Sequence, residues 1–239
     1  MSGGLLNHIR GKSFFRGAKR GWRNSKWLAI GELLVVMAVF VADDWRLISF
    51  NTTPLLLAMG WISLWIRKVS WRDVGLRVHQ SWKTTVALGV AAGLLLEAFE
   101  LFVSQPLLVR MTGKPADLGS FRALTGNLQL TVKYLVLAWI IAAFGEEMVY
   151  RGYLMNRVAD LLNRTRTAWI VSLIAVHVAF GLIHSYQGIT GVLDEGLMGF
   201  LLGVIYLRTG CSLSVPIIAH GIQDSIDFVL IFLGRYPGM

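Results

Sequence analysis

The sequence holds one cysteine, Cys211. That excludes an internal disulfide framework and any zinc site built from several thiolates. Charge is scarce as well. Asp, Glu, Lys and Arg make up 15% of the 239 residues, against 55% hydrophobic residues. With a positive mean hydropathy, this composition suits a polytopic membrane protein and not a soluble domain. Only five prolines occur, with no low-complexity tract, internal repeat or long polar linker, so one integrated helical bundle is expected over 27–239. A cleavable signal is not expected either, because the long basic region runs into Trp27 to Val41 without a small-residue cleavage site.

What is present is a series of apolar runs, at roughly 27–45, 54–66, 84–109, 130–155, 168–186, 190–207 and 213–233. The second is short enough to be re-entrant. An eighth helix has room in the basic stretch between the second and third runs, or in the N-terminal segment. The expectation is therefore an all-α polytopic bundle with about seven or eight transmembrane helices. The net charge of +9 does not signal nucleic acid, because of where the charge lies. Arg10, Lys12, Arg16, Lys19, Arg20, Arg23 and Lys26 precede the first span, and Arg67, Lys68, Arg72, Arg77 and Lys83 follow the second. Arg157, Arg164 and Arg166, and then Arg208, fall on the same side; 185–190 has no Lys or Arg. This is the positive-inside pattern. It makes 1–26 a basic cytoplasmic segment, with lipid as partner and a prokaryotic inner membrane as the setting. The loop with Arg110, Lys114 and Arg122 runs against it. Trp61, Trp65, Trp71, Trp82 and Trp169 stand near span ends as interfacial anchors. Gly199 and Gly203 read as a close helix contact.

Charged groups inside apolar spans are costly and mark function. Glu146-Glu147-Met148-Val149-Tyr150-Arg151 follows an apolar run directly. Glu147 and Arg151 are i,i+4 with the acid first, the better orientation for an ion pair. Glu146 lies about 100° round the helix and stays available. His184 falls late in the fifth span, four residues after Phe180; His220 and Asp224 are i,i+4 in the seventh. Glu146 and His184 are equidistant along the chain from Thr165, in the turn between their spans. An antiparallel pair thus places both about 28 Å from that turn. His220, about 15 Å in from the turn at Gly210, matches only if the hairpin protrudes or helices tilt. Asn156, Arg157, Asp160 and Asn163 suggest protrusion, and Pro216 an adjustment of the last helix. Glu97, Glu100, Asp194 and Glu195 are further acids, open to supporting, substrate-facing or interfacial roles. His177 reads as a packing residue.

Taken in order, Glu146-Glu147-xxx-Arg151, Phe180-xxx-His184 and His220-xxx-Asp224 resemble the three motifs of the CPBP (CAAX protease and bacteriocin-processing, or Abi) intramembrane endopeptidases. Residues 71–77 and 206–213 also resemble family segments, and the core resemblance covers about 130–230. The resemblance implies hydrolysis of a peptide bond in a membrane-associated protein or peptide, of CAAX-prenylprotein or bacterial-peptide type. Glu146 would be the general base for water, and His184 would help hold that water. His220 and residue 224 would stabilise the oxyanion or bind a metal, and Glu147 with Arg151 would be structural. Two chemistries stay open. Glu146, His184, His220 and Asp224 offer donors for a Zn2+ ion with an open water position, or a metal-free glutamate mechanism. Many family members carry Asn where this chain has Asp224. An ionised Asp only accepts, so Asp224 must be protonated, orient His220 or ligate a cation, which favours the metal. A proton-coupled transporter or a non-catalytic membrane scaffold could carry the same buried cluster. Substrate identity and oligomeric state are not encoded legibly.

Overall fold

The computed structural model describes residues 25–238, and every regular element among them is helical. Helix α1 is Lys26–Asp44 and α2 is Thr53–Arg67. Helix α3, Trp82–Phe99, runs through a π-helical turn, Glu100–Ser104, into α4, Gln105–Thr112. Helix α5, Leu128–Leu137, passes into a 17-residue π-helical stretch, Ala138–Leu154, and on into α6, Met155–Leu161. Then come α7, Arg166–Ile183, α8, Gly188–Arg208, and α9, Ser214–Phe232. Short polar residues start several of them. The side chains of Ser25, Ser81, Asn127 and Thr165 accept hydrogen bonds from backbone N–H groups in the first turns of α1, α3, α5 and α7. Such caps satisfy donors that have no partner within the helix.

Among the described residues, five helices are long and apolar enough to cross a bilayer: Trp82–Thr112, Leu128–Leu161, Arg166–Ile183, Ser185–Arg208 and Ser214–Phe232. The chain is thus an all-helical integral membrane protein. Helix α2 is apolar but only 15 residues long, and α1 carries Glu32, Asp43 and Asp44. Residues 68–81 form turns, so no eighth helix lies there. Residues 1–24, most of the basic segment and the other place for that helix, lie outside the described residues.

The element that carries Glu146 runs through the middle of the bundle. Glu147 through Arg157 is buried without a break, as expected of a helix surrounded by others. Met148, Tyr150, Tyr153 and Met155 from it pack with Leu56 and Leu64 of α2, Trp169, Leu173 and Phe180 of α7, and Tyr206 of α8. Helix α7 lies along α8 because Gly199 and Gly203 leave room for rings of α7. A Cβ at Gly199 would come 2.7 Å from Phe180 Cδ1 and 3.1 Å from His177 Cδ2. His177 is accordingly a packing residue, with Nδ1 2.6 Å from the Leu173 carbonyl oxygen. Gly89 and Gly93 do the same between α3 and α9, where a Cβ would come 2.6 Å from Ile218 Cβ and from the Ala219 carbonyl oxygen respectively.

Three expectations are corrected. Trp71 and Trp169 are core residues, 8% and 5% exposed, not interfacial anchors; Trp71 packs on Trp61, and Trp169 lies under the Arg164 guanidinium. Trp61, Trp65 and Trp82 are exposed. Asn156 and Arg157 do not mark a protruding hairpin, since both are fully buried. Asn156 Nδ2 donates to the carbonyls of Arg151 and Gly152 and to Tyr206 Oη, and Arg157 pairs with Asp160. Pro216 sits in the first turn of α9, where its missing N–H breaks no helical bond, so it starts the helix without bending it.

Candidate active site

Glu147 and Arg151 form a fully buried ion pair, Oε1 to NH1 2.7 Å. The second guanidinium nitrogen of Arg151 donates to the Gly199 carbonyl oxygen at 2.6 Å. The pair therefore ties the π-helical stretch to α8. The expected i,i+4 partnership is present, but Glu147 has a second partner. His220 Nδ1 lies 3.0 Å from the same Oε1. A carboxylate can only accept, so Nδ1 is the protonated nitrogen of that contact. On the other side, His220 Nε2 lies 3.5 Å from Asp224 Oδ1, one turn along α9. Trp139 fixes the two elements nearby. Its ring lies over Gly221 and its Nε1 donates to Ser225 Oγ at 3.1 Å.

His184 is not within a helix; it caps the C-terminus of α7. Its Nδ1 is 2.8 Å from the Phe180 carbonyl oxygen. That oxygen accepts the Nδ1 proton, so Nε2 is the nitrogen left for chemistry. Phe180 is buried against Tyr150, edge to face at 4.7 Å. Its ring also meets His184 at 4.8 Å and lies 5.5 Å from Arg151 Cζ. It holds His184 from both its ring and its backbone.

Glu146 is half-buried and makes no hydrogen bond to another described residue. It lies within electrostatic reach of His220, His184, Glu195 and Arg151. Asp224, also half-buried, interacts with His220, Glu146, Glu195 and Glu147. Glu146, His184, His220 and Asp224 are thus brought together from three parts of the chain. Glu146 and Glu147 lie in the π-helical stretch, where each backbone bond spans five residues and more residues fit in each turn. Two features escaped the sequence reading. One is the Glu147–His220 contact. The other is the place of Glu195, a half-buried acid that faces the same group from α8.

A zinc site would need three or more of these donors converging on one point. Among the described residues no three His, Cys, Asp or Glu side chains are so arranged. His220 Nδ1 is committed to Glu147, which leaves only Nε2 on this ring, facing Asp224. The observed arrangement does not fit a metal centre. Cys211, in the turn before α9, offers no thiolate either, because burial pushes its thiol up.

A second group of acids lies beside the site. Glu100 accepts from Gln223 at 2.6 Å and from Gln105 at 3.1 Å, and Asp194 accepts from Ser104 at 2.7 Å. The Glu97 and Asp227 carboxyl groups meet each other.

The fold and site define a polytopic membrane protein with a buried histidine–carboxylate centre. Residues 128–226 match the model of a protein family described as Rce1-like, type II CAAX prenyl endopeptidase. This Rce1-like segment runs from the start of α5 to just beyond Asp224, spans all three motifs and agrees with the resemblance to CPBP proteases. No curated protein and no solved structure matches the chain.

Proposed function

We propose that the protein is an intramembrane endopeptidase that hydrolyses a peptide bond with water activated by Glu146 and His184. The observation that carries this reading is the division of the two adjacent glutamates. Glu147 is neutralised by Arg151 and bound to His220, while Glu146 faces the histidines with no hydrogen-bond partner among the described residues. In this reading a water lies between Glu146 and His184 Nε2. Glu146 takes its proton as the oxygen attacks the peptide carbonyl carbon. His220, with an acceptor at each ring nitrogen, has partners for two N–H groups. Its 3.5 Å contact to Asp224 is long enough for the developing oxyanion to compete for the Nε2 proton. Collapse of the tetrahedral intermediate breaks the C–N bond, and the proton held by Glu146 passes to the leaving amine. Asp224 orients His220 and is not a metal ligand.

Substrates of this reading are membrane-associated peptides, prenylated CAAX termini among them by family likeness. Helices α1 and α2 complete seven crossings, with the N-terminus cytoplasmic, in a prokaryotic inner membrane. The test is hydrolysis of prenylated and unprenylated peptides by purified protein in proteoliposomes. Glu146→Gln is expected to cost about 10²–10⁴ in turnover, the usual worth of a general base, with the melting midpoint unchanged. Full turnover in that variant would end the proposal.

A proton-coupled transporter is the second reading, favoured by the buried acids Glu97, Glu100 and Asp194 and the half-buried Asp227 beside the site. Proton flux in proteoliposomes that survives Glu146→Gln and is lost in Asp227→Asn would select it.

A further inference from the structure

We propose that Glu195 selects substrate at this site: with Tyr186 it forms a subsite for a positively charged substrate group, an ammonium or guanidinium, beside the scissile bond. The inference rests on the peptidase reading for its substrate class and on the following geometry for its charge.

Gln187 is almost fully buried, and its side-chain amide nitrogen donates to both Tyr186 Oη and Glu195 Oε1, each at 3.1 Å. One fixed amide therefore sets the position of an aromatic ring and a carboxylate together. Tyr186 is 56% exposed, yet its ring sits 5.8 Å from that of His184. The subsite thus opens outward and borders the reacting groups. Glu195 interacts electrostatically with His184, Tyr186, Glu146 and Asp224. No Lys or Arg side chain pairs with it among the described residues.

Charge balance gives the sign of the ligand. The accessible part of the centre carries three half-buried carboxyl groups, Glu146, Asp224 and Glu195, against the half-buried His184 imidazole, with His220 buried behind them. Arg151, an arginine near Glu146, is fully buried and engaged with Glu147 and the Gly199 carbonyl. An anionic substrate group on this side would meet like charge at short range with little water to screen it. A cation meets a carboxylate that can accept a charge-assisted hydrogen bond, and an aromatic face that attracts it through the ring quadrupole. The arrangement is preorganised, so its preference is not diluted by the cost of ordering the side chains.

The experiment uses the full chain in detergent and a panel of acylated fluorogenic peptides. They differ only in Lys, norleucine or Glu at each of four positions flanking the cleaved bond. At one position Lys is expected to exceed norleucine in kcat/KM by about ten-fold or more, the scale of a hydrogen bond to a charged group. Glu is expected to fall below both. Glu195→Gln should bring the Lys-to-norleucine ratio to within about two-fold of unity, and Tyr186→Leu should lower it part of the way. The ratio is internal to each preparation, so a loss of folded protein does not mimic the effect. The same peptides are titrated onto Glu146→Gln protein by fluorescence anisotropy, with and without Glu195→Gln. Hydrolysis with no Lys preference at any position, or a preference that Glu195→Gln leaves intact, overturns the subsite and leaves the peptidase. A Lys preference in binding that depends on Glu195, without hydrolysis by the wild-type chain, keeps the subsite and overturns the peptidase. Peptides neither bound nor cleaved overturn both.

Discussion

Replacing Glu147 by Gln isolates what the buried pair does. The change removes one charge and almost no volume. Arg151 keeps its bond to the Gly199 carbonyl but loses its counter-ion at 2.7 Å, in a place that water does not reach. Stranding one member of a buried pair typically costs about 3–5 kcal/mol. The lower figure is expected here, because the amide oxygen of Gln can still accept from Arg151 or from His220 Nδ1. Thermal unfolding in detergent, with the yield of monodisperse protein, reads this cost. Turnover per folded molecule should fall as well, because Glu147 also holds His220 at 3.0 Å. The two effects separate in the double variant Glu147→Gln with Arg151→Met. Removing the stranded cation should restore at least half of the lost stability, since apolar replacement of a buried pair is often near neutral. It should not restore turnover, because His220 still lacks its carboxylate. An unchanged melting midpoint in Glu147→Gln would refute the pair as an anchor. A normal midpoint with complete loss of turnover would make Glu147 a direct catalyst. A double variant as unstable as the single one would show that the stranded charge is not the cause.

Asp224→Asn keeps an acceptor 3.5 Å from His220 Nε2 and adds a donor, so turnover is expected to stay within about three-fold of wild type or to rise, on the scale of one neutral hydrogen bond. A large loss that excess zinc partly rescues, with metal found in the purified protein, would restore the metal reading. Gly199→Ala should destabilise by about 1–3 kcal/mol in a detergent melt, because its Cβ would lie 2.7 Å from the Phe180 ring that supports His184. Gly93→Ala should destabilise similarly, because its Cβ would meet the fixed Ala219 carbonyl oxygen at 2.6 Å; a midpoint equal to wild type would show that α3 can move away from α9.

Periodicity and spacing made the helices and the motif groups legible. Each apolar run coincides with a helix, because in a bilayer the backbone must satisfy its own hydrogen bonds over a length the apolar run already measures. The Glu147–Arg151 pair followed from i,i+4 spacing, and the packing role of Gly199 and Gly203 from two small residues one turn apart. Such features are local, so the chain encodes them within a few residues. Trp71 and Trp169 were misread for the converse reason. A tryptophan at a span end looks alike in sequence whether it meets headgroups or the core, and only the placement of Trp61 and Arg164 decided the matter. Asn156 and Arg157 suggest a protruding hairpin by their polarity, but burial decides otherwise: Asn156 meets Tyr206 across the bundle and Arg157 pairs with Asp160 one turn on. The same limit governed the site. The motifs that hold Glu146, His184, His220 and Asp224 stand in the chain, and the lack of a local ion-pair partner for Glu146 follows from its spacing. The tertiary structure decided that Glu147 serves Arg151 and His220 at once, that His184 caps a helix with Nε2 free, and that Glu195 comes from α8 to face His184, Glu146 and Asp224. Each depends on the rotation and height of one helix against another. Those are set by the glycine contacts and the π-helical stretch, through packing between residues far apart in sequence, which no local spacing records.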